Sequence, residues 1–286
     1  MIKDRQGKIV KELEGQNKLL KKLYSTSIGR CALKILVSPW VTYLGGIYMS
    51  SKLSTLSIPS FIKNNDIDMS QYVDKKYVSY NDFFTRMIKD GKREFDSNEL
   101  VLCAPADSKL TYYKLTKDTI LEIKDAKYKL KDLLQDDSLA KEYENGICLV
   151  FRLAVDDYHR YSYVDDGLIS FNKKIKGVFH TVNPIANDYY PIYKMNSREY
   201  TVIETKHFDK LIQMEVGAMM VGKIINHKHL EAIRGKEKGY FEFGGSTVVL
   251  ILKDGVVNID EDIILNSSKD IETRVLLGER IGYKGV

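Results

Sequence analysis

Lys238-Gly239-Tyr240-Phe241-Glu242-Phe243-Gly244-Gly245-Ser246-Thr247-Val248-Val249-Leu250-Ile251-Leu252 sets the terms on which the rest of the chain is read. Short apolar or alternating runs broken by a glycine pair follow the pattern of strand, turn and strand. Taken alone the stretch is a β-hairpin, with one strand over 240–243, a Gly244-Gly245 turn and a strongly apolar strand from Thr247. The same residues admit a second reading. A serine hydroxyl can attack the carbonyl of its own preceding residue if a base removes its proton and the peptide is held out of its relaxed geometry. Glycines lower the cost of such a conformation because they lack Cβ. The amide becomes an ester, loss of the α-proton expels the upstream chain, and the dehydroalanine left behind hydrolyses to a pyruvoyl group. Spacing alone does not choose between the two readings.

Outward from this stretch the pattern stays rich in strands. Runs over 99–104, 147–153, 200–204 and 211–216 are punctuated by Gly, Asn, Asp and Pro, and 127–135 reads as one short helix. Ser79 can cap a helix whose first turn holds Asp82 and which carries Phe83, Phe84, Met87 and Ile88 inward, ending near Asp90-Gly91. Before that the character changes. Over 16–37, Leu19, Leu20, Leu23, Tyr24, Ile28, Ala32, Leu33 and Leu36 recur at helical spacing among Lys18, Lys21, Lys22, Arg30 and Lys34. The apolar run over 35–49 that follows is broken by Pro39 and Gly45-Gly46 and falls short of the roughly 20 residues a membrane span needs. An interfacial pair of amphipathic helices with Trp40 at the boundary fits it, and so does a pair of helices packed on the main body. The expectation is an α+β chain. Its β-rich, barrel- or sandwich-like catalytic domain over 79–286 carries an N-terminal amphipathic, membrane-associating helical segment over 1–78.

Composition narrows the classes. With 44% hydrophobic and 29% charged residues in 286, the chain is an ordinary globular one with room for a substantial core. The net charge of +5 is scattered, and without a basic block nucleic acid is not a favoured partner. Cys31, Cys103 and Cys148 have neither the number nor the spacing of a disulfide framework or a zinc site. The polar start lacks the apolar core of a signal peptide, so the cytoplasmic side is expected. His227 and His229 sit two apart, as on one strand face, but no third ligand is near, and no metal is expected.

Several blocks, in order, resemble the phosphatidylserine decarboxylases. Gly244-Gly245-Ser246-Thr247 resembles that family's cleavage motif, and Asn81-Asp82-Phe83-Phe84-Thr85-Arg86 with Arg93-Glu94-Phe95-Asp96 its early helix and exit loop. Pro105-Ala106-Asp107 resembles its aspartate motif and Asp157-Tyr158-His159-Arg160-Tyr161 its histidine motif. Val182-Asn183-Pro184, Asn196-Ser197-Arg198-Glu199 and Val216-Gly217-Ala218-Met219-Met220-Val221-Gly222 also fall into place. The resemblance runs from about residue 80 to about residue 252 by motif spacing.

The resemblance implies a proenzyme that cuts itself between Gly245 and Ser246 into a β chain, 1–245, and an α chain, 246–286. The two would stay together as a heterodimer, with further homo-oligomerisation left open. Ser246 would be the nucleophile and then the covalent pyruvoyl cofactor, Asp107 the acidic member, and the base a histidine. Many relatives carry a second histidine three positions after the first, where this chain has Ser162, a hydroxyl that does not titrate near neutrality. His159 and His180 are therefore the candidates, sharing the two histidine tasks. Asp107 is followed by Ser108 where glycine is common in relatives. The plainer readings are a strand histidine for His180 and an Asp bonded to its own loop for Asp107. The implied activity is decarboxylation of phosphatidylserine in membranes to phosphatidylethanolamine through a Schiff base, by an enzyme peripheral on the cytoplasmic face. The alternatives are a non-processing lipid-binding β-domain and a pyruvoyl decarboxylase of a related serine phospholipid.

Overall fold

The apolar runs do become strands, and most of them share one sheet. The computed structural model describes residues 1–10, 22–36, 38–118, 120–123, 126–178, 192–217, 223–242, 244 and 246–285. Its strands are β1 (Ile2–Lys3), β2 (Ile9–Val10), β3 (Val101–Cys103), β4 (Ser108–Lys114), β5 (Ile120–Ile123), β6 (Ala126–Lys129), β7 (Ile147–Leu153), β8 (Arg160–Ser162) and β9 (Gly167–Ile175). They continue as β10 (Arg198–Thr205), β11 (Lys210–Gly217), β12 (Ile224–Asn226), β13 (Glu231–Ala232), β14 (Glu237–Phe241), β15 (Ser246–Leu252), β16 (Val257–Ile259), β17 (Glu272–Val275) and β18 (Arg280–Lys284). Ten of them form a sheet in the order β13-β9-β10-β11-β15-β7-β4-β17-β1-β2. Within it only β1 and β17 run parallel. Two three-stranded sheets, β12-β14-β8 and β16-β18-β3, and the β5-β6 ribbon complete the set.

The class is α+β, as expected, but the sheet does not close into a barrel. Its edges, β13 and β2, are two residues long each and too short to meet around a barrel. Instead its central strands are buried on both faces. Alternation along β7 sends Leu149, Phe151 and Leu153 to one core and Cys148 and Val150 to another, with Val248 and Leu250 against Val249 and Ile251 doing the same along β15. The two small sheets cover the first face with Tyr161, Phe241, Leu102 and Ile281. Helices α5 (Leu130–Leu134) and α6 (Asp137–Lys141) cover the second, after α1 (Ser27–Leu36), α2 (Pro39–Met49), α3 (Ile58–Asn64) and α4 (Tyr80–Phe84). Later come α7 (Ile192–Met195) and α8 (Glu261–Ser267).

Three sequence expectations need correction here. First, β14 and β15 are not a hairpin. β14 pairs with β12 and β8, whereas β15 is flanked on both sides by β11 and β7, so neither edge of β15 is free to receive it. Second, Ser79 does cap α4, its Oγ accepting the amide of Asp82 at 3.1 Å, but the helix stops at Phe84 and leaves Met87 exposed. Beyond Thr85 the chain extends instead, with the amide of Val73 donating to the carbonyl of Met87. Third, Pro39 opens α2 rather than breaking it, since its missing N–H is not needed in the first turn, and Gly45-Gly46 lie within that helix. The amphipathic stretch over 16–37 falls partly on residues 11–21 and 37, outside the described residues. No helix among the described residues is long and apolar enough to cross a membrane. The first ten residues join the main sheet through β1 and β17.

Candidate active site

Ser246 is the first residue of β15 and stands opposite Gly217, the last of β11, and Leu153, the last of β7. It lies where the central strands end. Its side chain is fully buried, and neither its Oγ nor Oγ1 of Thr247 has a hydrogen-bond partner among the described residues. A buried hydroxyl left unmet costs about 1–3 kcal/mol, so the one at Ser246 marks a place held for chemistry or a ligand rather than for stability; Thr247 faces the other side of the sheet, with Val249 and Ile251. Gly244, two residues upstream, has φ 132°, a backbone region closed to most L-residues. Phe243 and Gly245 lie outside the described residues.

The segment from Leu153 to His159 faces this crossing. Asp157 Oδ2 accepts the amide of Ala154 at 2.7 Å and Nζ of Lys109 at 2.6 Å, which folds the loop tightly back on β4. His159 follows, fully buried, its ring 4.1 Å from that of Phe84. Its Nδ1 lies 2.9 Å from the carbonyl of Asp157, an acceptor only, so Nδ1 carries the proton. Nε2 then bears the lone pair, and it has no partner among the described residues. Burial pushes the His159 pKa down to about 3; the bond to Asp157 opposes this, and the nearby Arg86 charge adds to it. The imidazole is neutral at any ordinary pH, with one bare basic nitrogen.

The crossing 241–246 and the loop 153–159 share both ends. The amide of Phe241 donates to the carbonyl of His159 at 2.9 Å, and Ser246 pairs with Leu153. The segments that carry Ser246 and His159 are thus neighbours, joined at Phe241–His159 and at Ser246–Leu153. Asp107 is engaged elsewhere. Its Oδ1 accepts Nε of Arg93 at 2.9 Å and the amide of Leu277 at 2.7 Å, and its Oδ2 accepts Nη2 of Arg93 at 2.8 Å. No histidine is among its described partners. His180 lies outside the described residues. Ser162 sits in β8, buried, its amide on the carbonyl of Pro105 and its carbonyl on Nε2 of Gln213.

Sequence reasoning missed a second polar group on the same face of β11. Glu215 and Lys238 are 0% and 1% exposed and paired at 2.5 Å. Asn226 donates to Glu215 and to Glu199, and Tyr161 donates to Asn226. Burial pushes the Glu215 carboxyl up and Lys238 pulls it back. Lys238 lies in β14 and Glu215 in β11, so the pair fastens the strand leading into the crossing onto the central sheet. The signal was present as Gln213, Glu215 and Gly217 at alternate positions of an otherwise apolar strand, all facing the side of Ser246.

Of the remaining histidines, His207 and His227 are held by acids, and His229 packs its ring near those of Tyr163 and His227. His207 Nδ1 meets Asp165 at 2.9 Å, and His227 Nε2 meets Glu237 at 2.7 Å. Among the described residues no group of three His, Cys, Asp or Glu is placed to hold a metal.

The family model for phosphatidylserine decarboxylase matches residues 80–283. Phosphatidylserine decarboxylase proenzyme 2 of Clostridium acetobutylicum is 47% identical over 272 residues, 95% of this chain and 94% of that one. The phosphatidylserine decarboxylase proenzyme of Clostridium tetani is 39% identical over 96% of this chain and 94% of its own. That of Ruminiclostridium cellulolyticum is 40% identical over 93% and 91%.

Proposed function

The chain belongs to the phosphatidylserine decarboxylase family, and from that premise we propose that it is a proenzyme which cuts itself between Gly245 and Ser246 and then decarboxylates phosphatidylserine. One observation carries the self-cleavage. Ser246 presents a buried, unpartnered hydroxyl at the head of a central strand, across a short loop from a neutral imidazole with a bare Nε2. His159 takes the proton of Ser246 Oγ, and the oxygen forms an ester with the Gly245 carbonyl as the amide C–N bond breaks. Removal of the Ser246 α-proton expels the Gly245 carboxylate. Water then replaces the nitrogen, and ammonia leaves. A general base with a pKa near the working pH contributes on the order of 10²–10⁴ in rate; the depressed pKa of His159 keeps its nitrogen free of a proton but lowers the driving force for taking one.

Unmet polar atoms at Ser246 and His159 fit a site that holds a reactive group rather than a packed core. The pyruvoyl group left on residue 246 supplies an electrophilic ketone and an electron sink for the loss of carbon dioxide. Within that site the buried imidazole of His159 holds or delivers the proton required at the substrate α-carbon, and His180 is the second candidate for that task. Asp107 contributes through Arg93, which grips its carboxylate on both oxygens.

A membrane-resident substrate calls for a surface that meets lipid. Trp40, Tyr43, Leu44 and Ile47 on α2, together with Leu53 and Leu56 just beyond it, are all more than half exposed, and Leu56 reaches 81%. Apolar exposure on this scale suits an interface at headgroup depth. The test is Leu44→Asp with Leu56→Asp, which leaves β1 and the main sheet intact. Turnover of vesicle-borne substrate should fall while turnover in detergent micelles holds, and equal losses in both would refute this role.

Intact mass of the purified protein tests the central claim. Fragments 1–245 and 246–286, with a small chain that begins in a carbonyl and reacts with hydroxylamine, are expected from the wild type, and one uncut chain from Ser246→Ala. An uncut wild type with an ordinary serine would overturn the reading.

A further inference from the structure

Arg86 is 2% exposed and carries a charge that no described carboxylate answers. Its Nη2 reaches Oη of Tyr72 at 3.2 Å and the carbonyls of Asp156 and Asp157 at 3.3 and 3.5 Å, all long contacts. Nε and Nη1 are buried and have no partner among the described residues. Its guanidinium carbon lies 4.3 Å from the ring centre of Tyr72 and 4.9 Å from that of Phe83. Arg198 provides the contrast. It is equally buried and also lacks an acid, yet its Nε, Nη1 and Nη2 all donate to carbonyls, those of Leu133, Lys194, Asn196 and Asp132. Backbone oxygens can satisfy a buried guanidinium completely; at Arg86 they satisfy one nitrogen of three.

The position of this unmet edge is informative. The carbonyl of Asp157 that Nη2 approaches is the one that fixes the Nδ1 proton of His159. Phe84, two residues before Arg86, contacts the His159 ring. A bare imidazole nitrogen and a bare guanidinium edge are therefore hung from one carbonyl. Arginine stays protonated at every working pH, and its Nε and Nη edge is a planar fork that matches two oxygens of one anion.

We propose that Nε and Nη1 of Arg86 bind the phosphodiester of the phospholipid substrate, beside the decarboxylation centre, an inference that rests on the function proposed above. The substrate also carries a carboxylate, but that charge is lost as carbon dioxide leaves. A cation gripping it would stabilise the ground state more than the transition state and slow the reaction. The phosphodiester keeps its charge throughout, so it can answer Arg86 from binding to release.

The test uses the processed full-length protein with phosphatidylserine in detergent micelles, comparing wild type with Arg86→Met and Arg86→Lys. Loss of a buried bidentate contact should raise KM by about tenfold to a hundredfold with kcat within about threefold. Inhibition by glycerophosphoethanolamine should weaken by a similar factor, with Arg86→Lys intermediate. An unchanged KM would overturn the proposal, as would a fall in kcat at constant KM, which would place Arg86 on the carboxylate. Failure of both variants to fold and self-cleave would assign Arg86 to the scaffold and overturn it too. If the underlying function were wrong, the wild type itself would release no carbon dioxide, a distinct result.

Discussion

The amide of Phe241 donates to the carbonyl of His159 at 2.9 Å, so the strand that leads into the Gly244-Gly245-Ser246 crossing is tied to the base proposed to act on it. With Ser246 and Leu153 paired at the other end, the crossing cannot drift from the imidazole without breaking sheet hydrogen bonds. Geometry of this kind replaces the cost of bringing a nucleophile and a base together.

A depressed pKa gives self-cleavage a particular pH profile. The base is active when deprotonated, and burial holds His159 near 3, so the active form predominates at every pH well above that value. Cleavage of freshly refolded proenzyme, followed on denaturing gels, should proceed at nearly the same rate from pH 8 down to about 5, unlike a reaction governed by an unperturbed imidazole with a pKa of about 6.5. His159→Asn should slow it by at least about a hundredfold. A midpoint near 6.5 that persists in Asp157→Asn, where the carboxyl that titrates near 6 is gone, would remove His159 from the role.

Lys238→Met should destabilise the protein by about 3–5 kcal/mol, because it strands the Glu215 carboxylate in a dry site. Lys238→Met with Glu215→Leu should recover most of that loss, read as the midpoint of urea unfolding. Cleavage should slow in the single variant, since Lys238 anchors β14 to β11 just before the crossing. Additive effects of the two substitutions would show that the pair is not a unit.

The sheet order determines what happens after the cut. Residues 246–286 supply β15 between β11 and β7, β17 between β4 and β1, and β18 pairing β3. Arg5, in the larger fragment, also meets Asp260 at 2.7 Å and Asp262 at 2.6 Å in the smaller. The fragments should elute as one species on size exclusion and separate only in denaturant. Spontaneous release of the small chain would contradict this strand order.

Local features of the fold were legible in the sequence, and pairings between distant residues were not. The bounds of β7 follow directly from a seven-residue run that is apolar at every position but Arg152, and the Ser79 cap from a three-residue pattern. The Gly244-Gly245 turn misled because a hairpin and a crossing between sheets share one local signature; which neighbours flank β15 depends on residues 147–153 and 210–217. For the same reason the clamp of Arg93 on Asp107, and Glu215 beside Lys238 across 23 positions, could not be read from spacing. Ser246 and His159 could be singled out as candidates because their chemistry is stated by residue type.

Asp107 and Arg93 should behave as one unit. Arg93 satisfies both carboxylate oxygens, so Asp107→Asn and Arg93→Ala each break the same charge-assisted contacts. Each single substitution should slow self-cleavage by tenfold or more, and the double variant should be about as slow as the worse single one, giving a coupling energy of about 1–3 kcal/mol. Full additivity would mean that Asp107 acts through another partner.

Folding shifts the pKa values of Asp157 and His159 in opposite directions, which predicts a flat acid limb that one substitution unmasks. Burial raises Asp157 from its ordinary 3.8 to about 6, against the pull of Lys109. The folded carboxyl therefore keeps its proton where the unfolded one has lost it, and its contribution to stability, present below pH 3.8, disappears as pH rises through about 6. His159 works the other way. Unfolded, it takes a proton below 6.5, and folded only near 3, so stability is lost as pH falls through that window. Between about pH 4 and 6 the two slopes, each up to about 1.4 kcal/mol per pH unit, oppose one another. Asp157→Asn lowers stability overall by removing the partner of Lys109, but it also removes one slope. Its thermal midpoint should therefore climb more steeply from pH 4 to 6 than that of the wild type, and parallel curves would show that Asp157 is not protonated in the folded state over that range.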